Sequence, residues 1–225
     1  MKRGLDIMCS LLAIVCFWWL FAIVGILVRV KMGKPVIFRQ ARPGRIDENT
    51  GHERIFNMYK FRTMTDECDS SGKLLPDEDR LPTFGHWLRS TSLDELPEVF
   101  NILKGDMSII GPRPQLVRDM VFMDEKVRFR HTARPGLSGL AQVEGRNAIS
   151  WDEKFRYDLE YIENVSFTND VRILWKTVMK VFGHNESSEE LDVTDDYGDW
   201  LLLSNRISQE EYVNLQEQAK ELIKE

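Results

Sequence analysis

The feature that most constrains this chain is a run near its N-terminus. Residues Ile7 to Val28 read IMCSLLAIVCFWWLFAIVGILV, 22 positions without a charged side chain. As a helix rising about 1.5 Å per residue, the run reaches roughly 33 Å, enough to cross the hydrocarbon core of a bilayer. It is too long and too uniformly apolar for the surface helix of a small soluble domain. A cleaved signal is disfavoured, because no small-residue cleavage site follows and Asp6 interrupts the basic start. Lys2 and Arg3 precede the run, and Arg29, Lys31, Lys34, Arg39, Arg42 and Arg45 follow it. Basic flanks favour the cytoplasmic side, so the heavier C-terminal flank places the body of the chain in the cytoplasm. The N-terminal pair favours a helix that enters and turns back; from the residues alone a plain spanning anchor stays open. Trp18 and Trp19, near the middle, suit shallow insertion because Trp prefers the interface. The expectation is a re-entrant helix bent near Phe17–Leu20 with both ends cytoplasmic. No proline lies in the run, so side chains or water must satisfy the backbone groups that such a bend opens.

The net charge of -6 over 225 residues hides a segregation. Residues 186–225 hold 12 acidic and 3 basic side chains, which leaves residues 1–185 at about +3. A mildly basic body with an acidic tail suits anionic partners such as phosphates or a lipid surface. Cys9, Cys16 and Cys68 form no CxxC, and the four histidines are scattered. This pattern argues against a disulfide framework or a zinc ribbon and fits a reducing compartment.

Val36–Gln40 and Ile55–Arg62 read as two strands of a hairpin around a Gly-rich polar loop. Helices are expected over Leu81–Ser90, Asp94–Leu103, Val117–His131, Trp151–Glu163 and Phe167–Phe182. The last carries Trp175, Val178, Met179 and Phe182 beside Lys176 and Lys180, which suits either core packing or a helix resting on lipid headgroups. Residues 186–199 read as a flexible acidic linker, and Ser208-x-x-Glu211 as the capping box of a C-terminal amphipathic helix.

Two segments suggest chemistry. In Ser92-Leu-Asp-Glu-Leu-Pro-Glu-Val-Phe, Pro97 fits the first turn of a helix and places Asp94 and Glu95 at its N-terminus. There the dipole favours ionised carboxylates, suited to be a nucleophile or a magnesium ligand, although most acids at helix starts only complement the dipole. In the second segment Arg113 is clamped between Pro112 and Pro114, a rigid guanidinium suited to bidentate phosphate binding or simply a stiff surface turn. Lys60, Arg62, Arg89, Arg134 and Arg146 stand next to Gly, Pro or strand edges rather than on a helix face, and together look like pieces of one anion pocket. Nucleic acid is not expected as a partner, since no basic helix or recognisable binding motif is present.

Taken in order, KRGLDI, FRQARPG, FNMYKFRTM, SLDELPEVFNILKGDMSIIGPRP and ARPGLSGLAQVEGRN resemble the bacterial sugar transferases, the monotopic phosphoglycosyl transferases, over roughly residues 2–182. The resemblance implies transfer of a sugar phosphate from a UDP-sugar to polyprenyl (undecaprenyl) phosphate, with release of UMP and with magnesium, at the cytoplasmic face of the bacterial inner membrane. It implies Asp94 as nucleophile and magnesium ligand, Glu95 as its catalytic partner, and Pro112 and Arg113 in a phosphate-positioning loop. Lys60, Arg89, Gln142, Arg146 and Asp158 fall on substrate-binding positions. It also implies an α+β, mostly helical monotopic membrane protein with interfacial amphipathic helices and a small β-hairpin. The expected division is a membrane helix over 1–30, a catalytic domain over 31–184, and an acidic linker with a C-terminal helix over 185–225. Members usually break the membrane helix at a Ser-Pro pair, where this chain has Trp18-Trp19. The rival is a membrane-anchored scaffold that binds anionic lipid without turnover. The sugar and the oligomeric state are not set by these residues.

Overall fold

The apolar run and its flanks form one helix, α1 (Lys2–Met32), in the computed structural model of the protein, which describes residues 2–145, 149–182 and 196–224. Up to Trp19 its burial is the reverse of that of a soluble helix. Asp6 and Ser10 are buried, while Leu11, Leu12, Val15, Phe17, Trp18 and Trp19 are exposed. Strands β1 (Ile37–Ile46) and β2 (Glu53–Phe61) pair in a two-stranded sheet. The polar loop is shorter than expected, because its turn chemistry is concentrated in Asp47–Gly51. Asp47 accepts from the Asn49 amide at 2.8 Å, and Gly51 takes the left-handed φ of +70°. β1 therefore continues through the Arg-Pro-Gly-Arg segment.

The chain divides into two compact units. The first comprises residues 3–40 and 58–104. Besides α1 and the open end of the hairpin it holds α2 (Asp77–Arg80), α3 (Thr83–Ser90), a 3-10 turn over Leu93–Glu95 and α4 (Glu98–Lys104). Its core joins Val24, Val28 and Met32 of α1 to Phe61 and Leu88. A single helix over Asp94–Leu103 does not form. Ser92 adopts a left-handed φ of 54°, the 3-10 turn comes next, and α4 begins only after Pro97.

The second unit comprises residues 41–57 and the chain from Gly105 on, together with Lys2. The short strand that the sequence suggests before Gly111 forms as β3 (Ser108–Ile110), and it pairs in parallel with β4 (Gly136–Ser138), Ser108 opposite Gly136 and Ile110 opposite Ser138, a partner that the sequence did not suggest. A Cβ on Gly136 would lie 2.1 Å from the Gly111 nitrogen, so only glycine permits this approach. The helix expected over Val117–His131 is instead α5 (Val117–Met120), α6 (Glu125–Arg128) and a 3-10 turn over Phe129–Thr132, with Asp124 capping α6. The remaining helices are α7 (Leu140–Glu144), α8 (Trp151–Glu163), α9 (Phe167–Phe182), α10 (Tyr197–Leu203) and α11 (Gln209–Lys224).

One core cluster gathers Phe122, Met123, Trp151 and Phe155 with Tyr197 and Leu201 of α10. Tyr197 and Leu201 of the C-terminal region are thus part of this unit's core. The expected linker falls mostly outside the described residues, and from Tyr197 it is already helix.

Candidate active site

In the first unit Asp94 is 7% exposed, on the 3-10 turn. It precedes the start of α4 by a full turn, so it does not stand in the first turn of that helix as the sequence suggests. An electrostatic partner of this acidic stretch comes from β2. The Lys60 ammonium lies 2.8 Å from Glu95 Oε1 and 3.4 Å from Glu98 Oε1. Register between β2 and α4 is set by buried Asn101, whose Oδ1 accepts from the Tyr59 amide at 3.0 Å, and by Lys104, which donates to the Tyr59 hydroxyl at 2.6 Å. Arg89, at the end of α3, donates from Nε to Thr63 Oγ1 at 3.1 Å. Of the expected site residues the first unit therefore brings Lys60 and Glu95 into direct contact, beside buried Asp94. It adds Glu98, which the sequence did not single out because its partner Lys60 is distant in the chain. Arg62 is not part of an anion pocket, because its guanidinium donates to the Lys34 and Met64 carbonyls and pairs with Asp66.

The donor set suits a hard divalent cation. Among the described residues no three His, Cys, Asp or Glu side chains form a metal cage. Magnesium does not need one, since it keeps several waters and is commonly held by one or two carboxylates plus substrate phosphates. Asp94, with Glu95 adjacent, meets that requirement.

In the second unit Pro112 and Pro114 are buried and Arg113 between them is half-buried. The Arg113 carbonyl accepts from Arg130 Nη2 at 2.7 Å. Arg130 also donates from Nε and Nη2 to Asp158 Oδ2, at 2.9 and 2.6 Å, with both side chains buried. Asp158 thus does not line an open surface; its carboxylate balances Arg130. Burial pushes the Asp158 carboxyl above its ordinary range, and Arg130 opposes that. Gln142 donates to the Leu137 carbonyl at 3.2 Å, and its buried Oε1 has no hydrogen-bond partner among the described residues. Arg134 donates to the Gly105 carbonyl at 2.9 Å. Arg146 lies outside the described residues.

The Arg130 network extends to His131 and Glu53. His131 Nδ1 lies 2.9 Å from Glu53 Oε1, and its Nε2 lies 3.3 Å from Arg130 Nη1. Burial lowers the imidazole to about 4 despite Glu53, so the ring is neutral, donating from Nδ1 and accepting at Nε2. Burial alone would raise Glu53, but the hydrogen bonds from His131 and Arg128 outweigh it and hold the carboxyl at about 2. The unfolded chain protonates His131 from pH 6.5 downward, whereas the folded chain does so only near 4. His131 therefore contributes stability above pH 6.5 that is lost as pH falls toward 4. Asp119, raised to about 6 by burial and by the nearby Asp196 charge, works in the opposite sense over much of the same range. The informative quantity is thus a difference. The melting temperature of wild type is expected to fall more steeply from pH 6.5 to 4 than that of His131→Gln, and parallel curves would exclude His131 as the titrating group.

Comparison with known proteins shows the family of the chain. The profile of the bacterial sugar transferase family matches residues 1–184, and the chain belongs to that family. It is 46% identical over 181 residues to a Bacillus subtilis (strain 168) protein named uncharacterized sugar transferase EpsL, covering 80% of this chain and 87% of that protein. It is 38% identical over 188 residues to the UDP-N-acetylgalactosamine-undecaprenyl-phosphate N-acetylgalactosaminephosphotransferase of Aeromonas hydrophila. It is 34% identical over 198 residues to the undecaprenyl-phosphate galactose phosphotransferase of Salmonella typhimurium (strain LT2). Each of these two matches covers 80% of this chain, but only 43% and 40% of the respective relative.

Proposed function

We propose that this chain transfers a sugar 1-phosphate from a UDP-sugar to undecaprenyl phosphate, releasing UMP, by way of a covalent intermediate on Asp94. The observation that carries the reading is a buried Asp94 next to Glu95, with Lys60 against Glu95 and Glu98, in a chain of this family. In the first step a carboxylate oxygen of Asp94 bonds to the β-phosphorus as the bond to the UMP oxygen breaks. UMP leaves with that electron pair. In the second step an oxygen of undecaprenyl phosphate attacks the same phosphorus, and Asp94 departs as a free carboxylate. Glu95, fixed by Lys60, orients the incoming group. Arg113 offers a planar fork to phosphate oxygens, held by its two prolines. Magnesium, when bound at Asp94, would neutralise the diphosphate charge, which is most of what phosphoryl transfer requires of its site.

The acceptor is a lipid, and the apolar surfaces suit a bilayer. α1 is long and apolar enough to cross a membrane. Support for a helix that turns back comes from its contacts. Arg3 donates to the Ile102 and Leu103 carbonyls at 2.5 and 2.7 Å, while Phe21 packs edge-on to Phe100 with ring centroids 5.7 Å apart. A straight helix would separate Arg3 from Phe21 by about 27 Å, and α4 is only about 10 Å long. Trp19 Nε1 donates to the Cys16 carbonyl at 3.0 Å, a side chain serving the backbone where the bend is expected. α9 is likewise inverted. Its Asp170, Lys176 and Thr177 bond to Tyr161, Glu144 and Ser138, while Phe167, Val171, Leu174, Trp175 and Met179 are exposed. An apolar face of this kind with Lys and Arg at its margin suits the headgroup boundary of the cytoplasmic face of the inner membrane.

The test is UMP release from a panel of UDP-sugars by the full-length protein with undecaprenyl phosphate and magnesium. Release from one sugar, abolished by EDTA and restored by magnesium, is the expected result. No release from any sugar would leave the scaffold reading in its place.

A further inference from the structure

The three carbonyls around Arg113 are all engaged. Pro112 O accepts from the Gly136 amide at 3.0 Å, Arg113 O from Arg130 at 2.7 Å and Pro114 O from Arg42 Nη1 at 3.1 Å. The prolines fix φ on both sides of Arg113, and these donors hold the peptide planes. Of the donors, only Arg130 grips Arg113 itself, and it is 1% exposed. We infer that Arg130 is a positioning residue: it never meets substrate, and it sets the direction in which Arg113 presents its guanidinium. The inference rests on the proposal that Arg113 engages the phosphates of the donor.

The chemistry explains why this position holds arginine. One rigid fork must serve Asp158 and the Arg113 carbonyl together, and a lysine ammonium has neither the span nor the planarity. The fork is kept from rotating on its other edge, where Nη1 meets His131 Nε2 and His131 is itself held by Glu53. The Phe155 ring lies 5.7 Å from the guanidinium carbon. A buried ion pair is a poor source of stability, since apolar side chains of similar volume commonly do as well or better. Retaining a full charge here is instead accounted for by the bond it makes to the carbonyl of Arg113 itself.

The experiment is a double-mutant cycle on the full-length protein in nanodiscs with Arg130→Lys, Arg113→Lys and the pair, combined with amide hydrogen exchange. Arg130→Lys alone is expected to lower kcat/KM for the UDP-sugar about 10- to 100-fold, the range that a misplaced binding group costs. In the Arg113→Lys background the same change should cost less than about threefold, because both variants disable one device. Exchange across residues 111–116 should quicken while α3 is unchanged. Fully additive losses, or unchanged exchange across 111–116, would overturn the inference. A wild type that turns over no UDP-sugar would sink the transferase proposal alone, and the exchange measurement would still decide this one. If Arg130→Lys does not fold, His131→Phe keeps the ion pair and, having no acceptor for Nη1, frees one edge of the fork. It should quicken exchange in the same segment, and no change there counts against positioning.

Discussion

Replacing Asp94 with Asn is expected to stop turnover while leaving the fold intact. The change is isosteric and removes only the charge and the nucleophilic oxygen. Loss of a covalent nucleophile costs at least about a thousandfold in kcat, beyond what a merely orienting residue accounts for. The comparison that isolates the chemistry is with Lys60→Met, which leaves Glu95 and Glu98 without their 2.8 and 3.4 Å partner but keeps Asp94. That variant should retain measurable turnover. Intact-mass analysis gives the second readout. Wild type incubated with donor and magnesium, without undecaprenyl phosphate, should gain the mass of one sugar phosphate, and Asp94→Asn should gain none. Near-normal turnover by Asp94→Asn, with an unchanged melting temperature, would rule out the aspartyl intermediate.

Cutting the chain after His184 is expected to unfold the second unit. From the sequence alone the opposite is expected: residues 186–225 carry no catalytic motif and read as an accessory linker and helix, so their removal would leave catalysis largely intact. The family match also ends at residue 184, yet α10, which lies beyond that point, forms a wall of the core. The Tyr197 ring lies 5.0 Å from Phe155 and 5.3 Å from Trp151, and its amide donates to Asp119 at 3.0 Å. Arg118 pairs with Asp196, and Arg206 with Asp152. Truncation strips these aromatic side chains of their cover and leaves the buried Asp119 carboxylate short of a donor. Leu201→Ala is the graded version, and a buried Leu-to-Ala change costs about 2–5 kcal/mol. The measurement is thermal unfolding tracked by tryptophan fluorescence, with Trp151 of this cluster as the reporter that the truncated chain and Leu201→Ala both retain. A truncated protein that melts like wild type would restore the accessory view.

What the amino-acid sequence determined by itself was local or compositional. The apolar run specifies α1, the 3.6-residue spacing specifies α8 and α9, and a Ser208 cap opens α11, with Glu211 N–H bonding Ser208 Oγ at 3.1 Å. Asp94, Glu95 and Arg113 stood out because Pro97, Pro112 and Pro114 restrict the backbone around them. Everything that depends on residues distant in the chain was left to the tertiary structure. No periodicity says that Lys60 meets Glu98, that Glu53 reaches His131, or that Asp158 and Arg130 balance each other beneath the Arg113 loop. The 3-10 turn at Asp94 and the splitting of residues 117–131 likewise reflect packing that outweighs weak helical propensity. The C-terminal helices look solvated by charge count, but whether Tyr197 and Leu201 face water or a core depends on Phe122, Trp151 and Phe155, which only the folded chain brings to them.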